Sequence, residues 1–207
     1  MFSWTNLRAL IKEHFRISEK EAWGIISLVL VSAFLFSFRL WGEKEFDWIV
    51  GLFNLGNRVA IILLAVLVSL LVQKIYALNI GYSAEYKINW YALIIGLFLV
   101  FYTNGWIFIL APGFLVFTLH PERRIGKFRY GLNVFQMANV ALSGILALLV
   151  LGLFFKLASG LLLNELVRTA SGIILLWACF SMLPLPQYHG LTIFFASRFY
   201  YVFWAAL

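Results

Sequence analysis

Charge is scarce in this chain. Charged residues make up 12% of 207 positions, against about 25% in an average soluble domain. Acidic side chains are fewest, nine against sixteen Lys and Arg, for a net charge of +7. In so apolar a chain that basic excess points to cytoplasmic loops and anionic lipid, not to nucleic acid. Cysteine occurs once, at Cys179, so no disulfide forms within the chain. Cys179 sits in an apolar run and reads as a small core residue, not a reactive thiol. Histidine occurs three times, at His14, His120 and His189, which limits any imidazole metal site. No small-residue cleavage site follows the polar N-terminus, so no signal peptide is expected. Internal repeats and low-complexity tracts are also missing.

What is present is apolar. Hydrophobic residues reach 63%, aromatics 18%, with eight Trp. Mean hydropathy is +0.93. A core of this size cannot hide that much apolar surface, so much of it must face lipid. The expected fold class is an all-α membrane protein with five to six transmembrane helices. A short β-like or re-entrant segment is expected between the second and later spans. Residues 1–21 read as a basic interfacial segment and 22–207 as a single transmembrane domain. In the first, Arg8, Lys12, Arg16 and Lys20 fall on one helical face, with Leu7, Leu10, Ile11 and Phe15 opposite.

A spanning helix needs about 20 apolar residues. The candidates are Ala22–Phe38, Arg58–Leu78, Leu132–Leu157, Leu161–Leu183 and a final apolar helix, Leu191–Leu207. Gly42–Asp47 and Asn79–Asn89 read as polar connections. Phe114–Leu119 looks strand-like, and a basic turn with Arg123, Arg124, Lys127 and Arg129 follows it. Trp90–Leu110 is long enough to cross but is broken at Thr103-Asn104-Gly105. With the N-terminus cytoplasmic in the plasma membrane, a full crossing would put the basic turn outside. A segment that dips in and returns removes that conflict with the positive-inside tendency.

Three places carry polar chemistry at helix ends or within spans. Ser69 and Gln73 lie four apart on one helical face. Asn139 sits inside a later span. Pro184-Leu185-Pro186-Gln187-Tyr188-His189-Gly190 makes a rigid break before the last helix. Each has a plain alternative. Ser, Asn and Gln commonly hydrogen-bond between membrane helices, and a loop histidine is commonly solvated.

The order of these features resembles the archaeal membrane branch of the site-2 protease family, the intramembrane zinc metalloproteases. In that family a helix ends in HExxH-Lys followed by Ala. Here the run is Ser69-Leu70-Leu71-Val72-Gln73-Lys74, with Ala77 after it. Gly81 and Ala84-Glu85-Tyr86 match the next stretch, and Ala111-Pro112-Gly113 closes the following apolar segment. Asn139 matches the Asn of a Gly-Pro-x-x-Asn pattern, whose Gly-Pro is Phe135-Gln136 here. Ser181 to Gly190 aligns with Asn-x-x-Pro-x-Pro-x-x-Asp-Gly, retaining Pro184, Pro186 and Gly190.

The resemblance assigns the two zinc histidines to Ser69 and Gln73, the water-activating glutamate to Leu70, and the zinc aspartate to His189. None keeps the family's residue. Leucine has no proton to exchange, and serine and glutamine are poor zinc ligands beside imidazole. The resemblance therefore implies no catalytic residue, no bound zinc and no other cofactor: a non-catalytic homologue acting as a membrane-embedded binding or structural subunit. Its partners would be membrane lipid and a transmembrane helix of another protein or complex. One alternative is an active zinc metalloprotease with non-standard ligands, such as His120, His189 and Glu85. Another is a small transporter or channel subunit, which intramembrane ionisable residues would favour.

Overall fold

A computed structural model describes residues 15, 17–41, 46–119 and 132–206. Residues 1–14 and Arg16 of the expected interfacial segment, His14 among them, lie outside the described residues, as do His120 and the basic turn.

The described elements run α1 (Glu19–Ser37), α2 (Trp48–Ile80), β1 (Tyr82–Lys87), α3 (Trp90–Tyr102), β2 (Phe114–Leu119), α4 (Val134–Leu162), α5 (Glu165–Met182), α6 (His189–Ala196) and α7 (Arg198–Ala205). Short polar residues start most of the helices by accepting otherwise unpaired backbone N–H groups. Ser18 caps Glu21 at 3.2 Å. Asp47 caps Ile49 at 2.8 Å, and Asn133 caps Phe135 at 2.9 Å. Asn89 and Asn164 do the same for α3 and α5. At the other end of α2, Gly81 adopts φ 92°, and its N–H reaches back to the Ala77 and Leu78 carbonyls. That left-handed stop suits glycine.

Among the described residues four helices, α1, α2, α4 and α5, are long and apolar enough to cross a membrane. Five to six spans were expected, and two features account for the difference. The first is α3, which has only 13 residues, about 20 Å of helix, less than a bilayer core. It stops where Asn104 and Gly105 take positive φ, 52° and 78°. The chain then returns to β2, which pairs antiparallel with β1 so that Lys87 faces Phe114. Residues 88–113 thus leave the sheet and come back to the same point. The second is the final apolar run, which is two eight-residue helices. The backbone is extended at Ser197, φ −166° and ψ 127°, and the Ser197 side chain caps Tyr200.

The central helix is α4, which packs against α2, α5 and α6, while α1 lies on α2. Leu28, Ile62, Ala65, Leu148 and Ile174 meet in the fully or almost fully buried core. The outward faces are apolar as well. Val150 and Phe154 of α4 are 69% and 64% exposed, an arrangement that suits lipid and not water.

Candidate functional site

The C-terminal third of α2 carries Ser69, Leu70, Gln73 and Lys74, all buried. Gln73 is fully enclosed. It fits because α4 presents Ala138, Ala141 and Gly144 on one face, letting the helices approach closely. A side chain at Gly144 would collide with it: a Cβ there would lie 2.6 Å from Gln73 Cγ. Gln73 Nε2 donates to the Ala141 carbonyl at 3.2 Å.

The same nitrogen lies 3.4 Å from His189 Nε2. An amide nitrogen only donates, so this contact requires the imidazole Nε2 to accept and its proton to sit on Nδ1. Gln73 Oε1 has no partner, although it is buried. An orphaned amide oxygen of this kind costs about 1–3 kcal/mol. His189 lies beyond α5, outside the four helices long and apolar enough to span, and is 4% exposed. Burial pushes its imidazole down to about 4, so the ring is neutral at physiological pH.

The proline segment delivers His189. After Met182 the backbone extends at Leu183, turns at Gln187 with φ 63°, and enters α6 at His189. Pro184 and Pro186 are exposed, but the segment is tied down on several sides. Tyr188 donates its hydroxyl to the Leu110 carbonyl at 2.6 Å. Asn89 Nδ2 donates to the Pro186 carbonyl at 3.3 Å, while Asn89 Oδ1 caps α3. Tyr201 reaches the Met182 carbonyl at 3.1 Å. Burial pushes the Tyr188 phenol up to about 12, keeping it a donor. Gly190 sits against the end of α5: a Cβ would fall 2.6 Å from the Leu183 carbonyl oxygen and closer still to that of Met182. No larger residue fits there without moving backbone.

The structure therefore brings Gln73 and His189 together, with Ser69 and Leu70 buried on the same helix end. Asn139 goes elsewhere. It is half-buried, and its Oδ1 accepts from Tyr200 of α7 at 2.9 Å. Glu85 is exposed on β1 and does not join the buried His189.

Sequence reasoning missed the most polar feature nearby. Lys74 Nζ donates to Glu21 Oε2 at 2.7 Å, and both side chains are buried. The other carboxylate oxygen, Oε1, accepts the Tyr86 backbone N–H of β1 at 3.0 Å. This network joins α1, α2 and β1. Part of its signal was available: Lys74 lies near the end of one apolar run, and Glu21 abuts the start of another. Beside it the Tyr86 hydroxyl donates to the Pro112 carbonyl, and burial with the Glu21 charge raises its pKa.

A catalytic zinc keeps three protein ligands and one open position. Among the described residues His189 is the only strong ligand at this place. A serine hydroxyl and an amide are weak donors to zinc, and the Gln73 amide N–H faces the imidazole nitrogen a metal would need. The residues present do not fit the metal. Among the described residues no other group of three or more His, Cys, Asp or Glu could hold one. No protein-family model, curated protein or solved structure matches the chain.

Proposed function

We propose that this chain is a non-catalytic relative of the site-2 proteases, a membrane-embedded binding or structural subunit that keeps the frame of a protease site without its chemistry. The observation carrying this reading is the Gln73–His189 contact. The resemblance assigns zinc ligands to these two positions, on α2 and after the proline segment, and they meet at 3.4 Å. The surrounding order also supports it. Ser69–Lys74 on α2, Ala84-Glu85-Tyr86 on β1, Ala111-Pro112-Gly113 before β2, Asn139 on α4 and the Pro-x-Pro turn follow one another in the order on which the resemblance rests. Leu70, at the position of the water-activating glutamate, is 5% exposed and has no group able to take a proton.

The reading gives the protein a binding role. A partner's transmembrane helix would lie against the apolar outer faces, and nothing at Ser69, Leu70, Gln73 or His189 would cut it. The test is purified full-length protein in detergent, incubated with a membrane-spanning reporter peptide. The expected result is no cleavage above a heat-denatured control and no loss of signal with chelator. Chelator-sensitive cleavage abolished by His189→Ala would overturn the proposal in favour of a protease with non-standard ligands.

A further inference from the structure

A groove of about 960 Å³ runs between α1 and the junction of β1 with α3, and neither Gln73 nor His189 lines it. On one wall α1 presents Glu19, Lys20 and Trp23; on the other lie Glu85, Lys87 and the aromatic pair Trp90 and Tyr91. Its floor is tight: a Cβ at Gly24 would lie 2.9 Å from Ile88.

Three observations bear on what this groove takes. The first is its position. Both walls are points where the sequence changes from polar to apolar, at Glu19–Ala22 on α1 and at Lys87–Trp90 before α3. Trp23, Trp90 and Tyr91 are 70%, 53% and 76% exposed there. Exposed Trp and Tyr at such a change mark the headgroup level of a bilayer. The second is charge. The groove holds two lysines and two glutamates, all four exposed, and among the described residues none of them forms an ion pair. The neighbouring Glu21 carboxylate is already engaged by Lys74 and Tyr86, so among the described residues the available charge of the groove sums to zero. The third is the aromatic lining, whose faces attract a cation.

A purely anionic ligand would leave Glu19 and Glu85 unfavourably placed. A purely cationic one would do the same to the lysines. We propose that the groove binds the headgroup of a zwitterionic phospholipid. Lys20 and Lys87 hold the phosphate, Glu19 and Glu85 hold the ammonium, and the aromatic rings line the path of the glycerol and the first acyl carbons. The volume exceeds a headgroup alone and leaves room for them. This site does not depend on the protease-like reading.

The test is native mass spectrometry of the full-length protein in detergent, titrated with phosphatidylethanolamine, phosphatidylcholine or phosphatidylglycerol. Both zwitterionic lipids are expected to be retained about tenfold more strongly than the anionic one, roughly one charge-assisted contact. Lys20→Gln with Lys87→Gln should lose that retention. Glu19→Gln with Glu85→Gln should reverse the preference toward phosphatidylglycerol, a gain that misfolding cannot mimic. Equal or stronger retention of phosphatidylglycerol by the unaltered protein would overturn the proposal, as would an unchanged preference in the glutamate variant. A photo-crosslinker at Tyr91 in native membranes should capture phospholipid. Capture of a polypeptide instead would overturn the assignment and make the groove a protein-docking site.

Discussion

Gln73 and His189, 116 residues apart in sequence, meet nitrogen to nitrogen at 3.4 Å in a fully buried contact beneath Gly144. The amide donates, the imidazole accepts, and the remaining amide oxygen is left without a donor. The arrangement is exacting in volume and unsatisfied in hydrogen bonding, and each of these properties has a measurable consequence.

The space above Gln73 exists only because position 144 has no side chain. Gly144→Ala should destabilise the protein by about 1–3 kcal/mol, the usual cost of overpacking. In a Gln73→Ala background the same substitution should cost much less. Thermal unfolding of the four proteins in this cycle checks the coupling; additive effects would mean that the two residues do not share the space.

The Glu21–Lys74 pair is buried, so removing either residue takes a close opposite charge away from the other. Lys74→Met or Glu21→Ala should each lower stability by about 3–5 kcal/mol, while replacing both with apolar residues should recover much of the loss. Glu21→Ala also removes the acceptor for the Tyr86 N–H, so amide exchange at Tyr86 should accelerate in that variant.

His189 is neutral in the folded chain because burial lowers its pKa to about 4. The unfolded imidazole titrates near 6.5, so below that pH the unfolded state binds the extra proton first. Stability should be constant above about pH 6.5 and fall as the pH drops from there toward about 4. The melting temperature of His189→Gln should lack this component, and its profile between those values should be flatter than that of the unaltered protein.

Asn89 has two duties, capping α3 and holding the Pro186 carbonyl. Asn89→Ala should cost about 1–2 kcal/mol through the lost cap and speed exchange at Ala92. Exchange at Tyr188, whose N–H bonds Leu185 within the proline turn, should rise too. Unchanged exchange at Tyr188 would show that the turn holds itself.

The sequence made the membrane helices legible because long apolar runs have few alternatives. It also marked β2, from its β-branched and aromatic residues, and the returning segment, from Asn104-Gly105. Less was legible where distant partners decide. Tyr82–Lys87 reads as a polar connection, yet it becomes β1 because β2 pairs with it and Glu21 takes the Tyr86 N–H. The start of α2 was expected at Arg58 because polar Asn54 and Asn57 dilute the run before it. Asp47 caps the helix eleven residues earlier, and Asn54 instead donates to the Leu40 carbonyl. The last helix was read as continuous because Ser197 is a weak signal until its hydroxyl is seen capping Tyr200. At the site, helical spacing put Ser69 and Gln73 on one face, and the proline segment marked a rigid break before His189. Spacing alone does not reveal that Asn139 turns toward Tyr200.

The proposed function rests on a metalloprotease frame that persists here while its ligands are gone. Zinc content of the triple variant Ser69→His, Gln73→His, His189→Asp, purified beside the unaltered protein, tests it most directly. The variant is expected to carry about one zinc per chain, because two histidines four apart on one helical face and an aspartate opposite them supply a three-ligand site. The unaltered protein is expected to carry none above background. Stoichiometric zinc in the unaltered protein, or a folded triple variant that takes up no zinc, would contradict the account.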